Sequence, residues 1–434
     1  MIKKNRFLAG LGLLSAGLIL VACGNGGSES NGDEAEADGN VTLTWSLWDT
    51  ESTVYYEPLV EAFEAEHDGV TVELLDLGST DYQTVLGTQL SGGDNTIDVV
   101  TVKDIPGYSS LTNRNLLEPL SERAQDLDLD QYAGTVEQIT IDDEFYAIPM
   151  RNDFYVLYYN KSIFDDAGVE YPQNGMTYEE YDQLMRDVSK KATESRGEKV
   201  YGGHYHIWRS QVELYGILDG ENTLVSTDYS FLDPIYEMAV SQQEDEIVQD
   251  YASLKTSNLH YSAAFYQDNV ATMLMGTWFI PTLQEAIASG ESQEFDWGIA
   301  KMPIIDGAEE GSTGGTMTSL GVSSNSKNKD LAYEFVEFVT GEEGAQIIAD
   351  TGTIPAIQSD EVISKITSIE GFPEDEQSKE ALETTNVYLE LPLDENASEV
   401  ETILNETHDN IMTYSTEISD GLKNASEQVS ALKE

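Results

Sequence analysis

Between Val41 and Val102 the sequence alternates strand-like and helix-like stretches, and that order leaves few folds open. Val41-Thr-Leu-Thr-Trp-Ser-Leu-Trp48 alternates apolar and polar residues, the two-residue period of a strand. Val54 to His67 carries apolar residues at helical spacing, Leu59, Val60 and Phe63 among them. Val70 to Leu75 reads as a second strand, Tyr82 to Leu90 as a second helix, and Ile97 to Val102 as a third strand. That last run is largely apolar, as expected of a strand covered on both faces. A β-α-β-α-β order predicts a mainly parallel sheet with right-handed crossovers. At 434 residues the chain exceeds what one hydrophobic core usually serves, so two lobes are expected.

Further along, Phe145 to Met150 and Tyr155 to Tyr159 read as two strand-like runs flanking Arg151-Asn152-Asp153. Tyr178 to Lys191 is an amphipathic helix, with Thr177 as its cap and Glu180 three residues on. Ala271 to Trp278 is a strand running into a turn, and Trp297 to Pro303 is another strand. Gly314-Gly315-Thr316 reads as a flexible loop: it lacks the Gly-Lys-Ser/Thr ending of a phosphate cradle. Lys329 to Thr340 and Glu342 to Asp350 read as paired helices, and the tail after Ala356 as helical and acidic.

The amino terminus reads as an address. Lys3, Lys4 and Arg6 precede an apolar run, Leu8 to Ala22, of signal-peptide length and too short for a comfortable membrane span. The run ends Leu20-Val21-Ala22-Cys23-Gly24, which resembles the lipobox of bacterial lipoproteins. That resemblance implies cleavage before Cys23 and a lipid on its thiol. Acyl chains contribute about 0.8 kcal/mol per buried methylene, so more than one chain is needed to hold firmly. Residues 24–40 contain no aromatic residue and no aliphatic one larger than Ala, the composition of a flexible tether. The working body then begins near Val41, on the outer face of a membrane that it does not enter.

Asp and Glu total 80 against 22 Lys and Arg, a net charge of −58 at pH 7. Such a surface repels phosphates and excludes nucleic-acid binding. It reads as a solubility device, suited to a saline or alkaline habitat. With Cys23 as the single cysteine, neither an internal disulfide nor a thiolate metal cluster can form. His204 and His206 share a face if extended, but read as hydrogen-bonded or pocket-lining histidines, and neither metal nor cofactor is expected.

Four segments together resemble the carbohydrate-type solute-binding proteins of ABC importers, the family of maltose-binding protein. They are Trp45-Ser-Leu-Trp-Asp49 with Gly69 to Glu73; Asp98 to Asp104 with Gly107-Tyr108 and Leu116 to Leu120; Ala147-Ile-Pro149 with Leu157 to Lys161 and Thr177 to Glu180; and Met273 to Trp278 with Met302-Pro303, Lys327 to Phe335 and Gly341 to Gly344. The resemblance implies a two-lobe α/β fold of the periplasmic-binding-protein kind, each lobe a mainly parallel sheet flanked by helices. Residues 1–22 would be the signal peptide and 23–40 the lipidated tether. Residues 41–150 with 303–354 would form one lobe, and 151–302 with 355–434 the other. Crossing strands would lie near Met150 to Tyr155 and near Lys301 to Ile304, hinged over a ligand cleft. The implied partners are a carbohydrate ligand and the importer's permease subunits, the implied state a monomer, and no catalysis is implied.

A sugar offers flat C–H faces, which aromatic rings cover, and a hydroxyl rim, which needs hydrogen bonds in place of water. A carboxylate accepting from two hydroxyls makes bonds about twice as strong as neutral ones. By motif position Asp104, Asp153, Trp208 and Trp278 match the family's sugar contacts, and Trp48 and Asp49 match its first loop. Tyr82 joins them at the start of the second helix. Arg151 is either a rim contact or the partner of a carboxylate between the lobes. Trp45 and Trp297, inside strands, read as core. Three rival readings remain at this point: a secreted glycan-active enzyme, a binding protein for a non-sugar solute such as a peptide or polyamine, and a purely structural surface lipoprotein, which would not need a cleft.

Overall fold

The computed structural model describes residues 40–433, apart from 126, 133, 358 and 385. The signal peptide, Cys23 and the tether up to Gly39 lie outside the described residues. The expected opening unit is present: β1 (Val41–Leu47), β2 (Val70–Asp76) and β3 (Val99–Val102) run parallel, with β1 between the other two. Helices Tyr56–Glu66 and Tyr82–Ser91 make the crossovers. Leu43, Trp45 and Leu47 are fully buried, and the Trp45 indole donates to Thr101 Oγ1 at 2.8 Å. Trp45 packs edge-on against Tyr56 and Phe335, so it is core, as its place in a strand predicts.

Two long strands tie this unit to the rest. β4 (Ile148–Asn160) is thirteen residues long. β5 (Thr272–Gly276) and β6 (Trp297–Lys301) flank its second half, both antiparallel to it. Its first half pairs antiparallel with β7 (Thr313–Val322). β7 also pairs antiparallel with β3 and parallel with the short β8 (Val387–Leu389). The fold is therefore α/β in two sheet-and-helix halves, but the sheet is mainly parallel only across β1, β2 and β3. A strand that leaves one half and returns must run against its neighbours, and this fixes the antiparallel pairings of β4 and β7.

Three expectations change here. Arg151-Asn152-Asp153 does not separate two strands; β4 runs straight through it, with an irregularity only between Pro149 and Arg151. Polar side chains do not end a strand whose main chain stays paired, here with Thr316, Met317 and Thr318. Gly314-Gly315-Thr316 is strand, not loop. A Cβ on Gly315 would meet Val387 at 2.4 Å, so the missing side chain is what lets β8 approach. Residues 303–308, expected with the first lobe, pack with the second. The main chain of Ile304 bonds Met176 and Tyr178, and Ile305 and Ala308 join the cluster around Tyr178. The second crossing is made by β7 instead.

Four apolar clusters cover both faces of both halves. In the first half, Leu59, Phe63 and Phe335 pack on one face, and Leu86, Val100 and Leu111 on the other. Along β4, Tyr155, Leu157 and Tyr159 enter one cluster while Val156 and Tyr158 enter another, the period of a strand buried on both sides. The capping box at Thr177 is formed: Thr177 Oγ1 accepts from the Glu180 N–H at 3.2 Å, and Glu180 Oε2 accepts from the Thr177 N–H at 3.0 Å.

Leu320 on β7 lies opposite both Thr101 of β3 and Ile148 of β4 and is fully buried. Leu320→Ala is expected to destabilise the fold by about 2–5 kcal/mol, as deletion of a buried leucine does. Chemical unfolding followed by tryptophan fluorescence measures it.

Candidate ligand-binding site

The crossing strands bring two charged side chains to the middle of the molecule. Arg151 and Asp153 are two apart on β4 and so share a face. Arg151 Nη1 lies 3.4 Å from Asp153 Oδ2, and Nη2 donates to Thr318 Oγ1 at 3.4 Å. The guanidinium also sits 5.4 Å from the centre of the Tyr55 ring, which belongs to the first half. Asp153 faces the second half: Thr277 Oγ1 donates to its Oδ1 at 2.9 Å, and the main-chain N–H of Trp278 adds a further bond. Burial pushes the Asp153 carboxyl up, and the Arg151 charge opposes that push.

Next to Asp153 stands an aromatic wall. Trp278 follows β5 and begins the helix Phe279–Ser289, its ring lying flat over Gly276. A Cβ at Gly276 would fall 2.0 Å from that ring, so only glycine leaves the indole its seat. Trp208 is 6.3 Å from Trp278 between ring centres, and Tyr155 stands edge-on to Trp278 at 5.5 Å. The Trp278 indole hydrogen-bonds the Tyr261 hydroxyl. His206 and His260 complete the wall, against Trp208 at 4.5 Å and Tyr261 at 4.1 Å respectively.

The first half presents a smaller face. Trp48, half-buried just beyond β1, packs edge-on against Tyr82 at 4.8 Å. The Lys103 ammonium lies 5.1 Å from the Trp48 ring centre and donates to Ser79 O at 2.7 Å. Burial pushes the Lys103 amine below the usual lysine range, against the pull of Asp104, Asp49 and Glu390. Asp49 has a φ of 50°, in the left-handed region, where it closes a turn with Ser52 and Thr53. Its charge acts on Lys103 beside it and on His260 and Tyr261 of the facing wall. The two faces therefore border one space.

A cavity is lined by Asp104, Arg209, Thr316, Glu390 and Glu401 among others. Asp104 caps the helix Ile105–Asn113, accepting from the Gly107 N–H at 2.8 Å and from Gln83 Nε2 at 2.5 Å. Arg209 is the hub: Nη1 bonds Glu213 at 3.0 Å, Nε bonds Glu401 at 3.0 Å, and Nη2 lies 3.7 Å from Glu390. Three carboxylates share one guanidinium. Burial leads in raising the carboxyls of Glu213 and Glu390, each to about 7, with like charge from Glu401 adding to it.

Residues 49–346 match the pattern of the bacterial extracellular solute-binding proteins. The chain belongs to that family. A sugar transporter from Rhizobium etli, solved in an open conformation, is 46% identical, with a TM-score of 0.74 over 90% of this chain and 99% of that one. The ABC substrate-binding protein of Listeria monocytogenes in complex with cycloalternan shares the fold at 20% identity, with a TM-score of 0.75 over 91% of this chain and 98% of that one. Among curated relatives, the diacetylchitobiose-binding protein of Streptomyces coelicolor is 26% identical over 378 residues, 82% of this chain and 84% of that protein. The galactooligosaccharide-binding protein of Bacillus subtilis is 22% identical over 363 residues, 79% of this chain and 78% of that protein.

Set against the family pattern, Asp153, Trp208 and Trp278 fall together, with Asp49 and Trp48 on the opposing face. Asp104 lines the cavity with Arg209. Two expected contacts differ. The Tyr82 hydroxyl is fully buried and donates to Thr101 O at 2.7 Å, with Ser46 also in reach; the ring backs Trp48 rather than facing the cleft. Arg151 is 7% exposed and turned onto Asp153 and Tyr55, the pairing role and not the rim role. Tyr261, His260 and Glu390 enter the site without having been named for the cleft. The first two sit in His260-Tyr-Ser-Ala-Ala-Phe265, an ordinary helix start, and Glu390 follows a strand of three residues, too short for its pattern to show.

Glu390 ionises near 4.5 in an unfolded chain and near 7 in the fold, so folding takes up a proton between those values. Its neutral form supports the fold fully below pH 4.5, and that support fades as pH rises through 7. Glu390→Gln, which stays neutral, is expected to raise Tm relative to the unaltered chain at pH 8 and to leave the difference near zero at pH 4. Calorimetry at both pH values checks it; an equal difference at both would show a carboxylate ionised throughout.

Proposed function

We propose that the chain is the capture component of an ABC importer, closing on a neutral carbohydrate between two lobes joined by β4 and β7. The observation that carries the reading is the stacking wall of Trp208 and Trp278, 6.3 Å apart, set directly beside the buried carboxylate of Asp153. Rings of this size cover the C–H faces of a pyranose, and Asp153 with Asp49 supplies acceptors for its hydroxyls. A charged rim alone would suit many solutes; the aromatic wall selects for flat, half-apolar ones. The names of the relatives, which include binders of galactooligosaccharide and diacetylchitobiose, support the same solute class.

Capture here needs no bond-making group. The ligand is released unchanged when the lobes part, and the closed form is what the permease subunits would read. In this reading the protein works as a monomer outside the cell membrane, held there by lipid on Cys23.

A thermal-shift screen against maltose, mannobiose, galactobiose and tagatose tests the solute class, since a ligand that binds only the native state raises Tm. At least one sugar is expected to do so; no shift with any would sink the reading. Trp278→Ala is expected to weaken that sugar by roughly 1–3 kcal/mol, about tenfold to a hundredfold in Kd. Cys23→Ala is expected to move the protein from the membrane fraction to the medium, read by immunoblot of the two fractions.

A further inference from the structure

Resting on the carbohydrate reading, we infer that His206 is a ligand-reading residue of the cleft, its imidazole placed to exchange a hydrogen bond with an uncharged hydroxyl or amide of the bound solute. His204, His206 and Trp208 stand two apart along the segment that runs from the bridge at His204 into the bend at Ile207 and Trp208. Their rings are in sequence, His204 to His206 at 6.2 Å and His206 to Trp208 at 4.5 Å. The row runs from the interior outward. His204 is 1% exposed, anchored by the bridge of its main chain to Met273, and its Nδ1 bonds Gln249 Oε1 at 2.6 Å. Trp208, at the other end, is half-buried and stands in the aromatic wall.

His206 sits between them, 6% exposed, and its Nδ1 is buried without a hydrogen-bond partner among the described residues. A buried polar atom of this kind is rare in a native protein and points to an outside partner. The ring packs edge-on to Tyr261 at 5.5 Å and lies 6.1 Å from His260, beside the aromatic wall, and it feels the charge of Lys103.

The surroundings say what that partner is. Burial, His204, His260 and Lys103 all disfavour a proton on His206, so the ring is neutral. A neutral imidazole is no seat for an anion. Among the described residues no three His, Cys, Asp or Glu side chains are grouped to hold a metal ion. A neutral ring nitrogen either gives or accepts one hydrogen bond according to tautomer, and a sugar hydroxyl does both. The match is to an uncharged polar group lying within stacking distance of Trp208.

Isothermal titration with whichever of maltose, mannobiose, galactobiose or tagatose binds most tightly tests this. His206→Ala is expected to weaken binding at least tenfold in a chain whose unliganded melting transition shows it folded. His206→Asn, whose amide nitrogen falls near the site of Nδ1, is expected to recover most of the loss; His206→Gln, which reaches toward Nε2, is expected to recover less. Full affinity in His206→Ala alongside a weakened Trp278→Ala overturns this inference and leaves the carbohydrate reading standing. A chain that binds none of the four overturns both. Should His206→Ala fail to fold, nitrogen NMR of the unaltered chain decides: the His206 Nδ1 resonance is expected to move on adding the sugar, and an unmoved resonance overturns the inference.

Discussion

The pair formed by Arg151 and Asp153 is the interaction on which the two halves depend. Each member is buried, and each looks a different way: the guanidinium onto Tyr55 in the first half, the carboxylate onto Thr277 and Trp278 in the second. Taking either charge out of water is expensive, and removing one partner of a buried pair typically costs about 3–5 kcal/mol. The pair therefore does more than fill space. It fixes where β4 passes between halves, and through Asp153 it fixes the turn that presents the Trp278 indole. A binding surface built on a strand and on a helix start is held more firmly than one built on loops.

Around that pair the charges are unevenly matched. Arg209 serves Glu213, Glu390 and Glu401 at once, and Asp104 lines the same cavity. In water such crowding would be screened; in a buried cavity it is relieved by keeping protons on some of the carboxyls. The strongly acidic surface and this inner cluster are different matters. The surface carboxylates are solvated and face outward, whereas Asp104, Glu390 and Glu401 line a cavity with Arg209.

The β-α-β-α-β opening was readable because each of its signals is local: a period of two or of 3.6 within a dozen residues, as in Leu43-Trp45-Leu47 or Leu59-Phe63. The cap at Thr177 and the turn that ends the strand at Trp278 were readable for the same reason. What escaped was set by distant neighbours. Arg151 to Asp153 looked like a break because the partners that keep it a strand, Thr316 to Thr318, lie far along the chain. Gly314-Gly315 looked loose because nothing local announced that β8 would press against it. Tyr82 looked like a cleft residue because its helix begins there, yet Thr101 and Ser46, unrelated in position, claim its hydroxyl. Of the carboxylates gathered on Arg209, Glu213 stands four residues along the same helical turn, but Glu390 and Glu401 come from distant stretches that no spacing rule joins to it.

The side-by-side pairing of β4 and β7 has a mechanical consequence. A single connecting chain acts like string and lets the bodies at its ends spin freely. Two bonded lengths of backbone act like a strip of tape, which flexes across its width but resists torsion. Main-chain pairing runs from Ile148 to Phe154, interrupted only between Pro149 and Arg151, and a strip of that kind resists a swivel more than a fold-over. On the proposed reading, opening and shutting would then retrace one path and return Trp48 to the same stretch of wall.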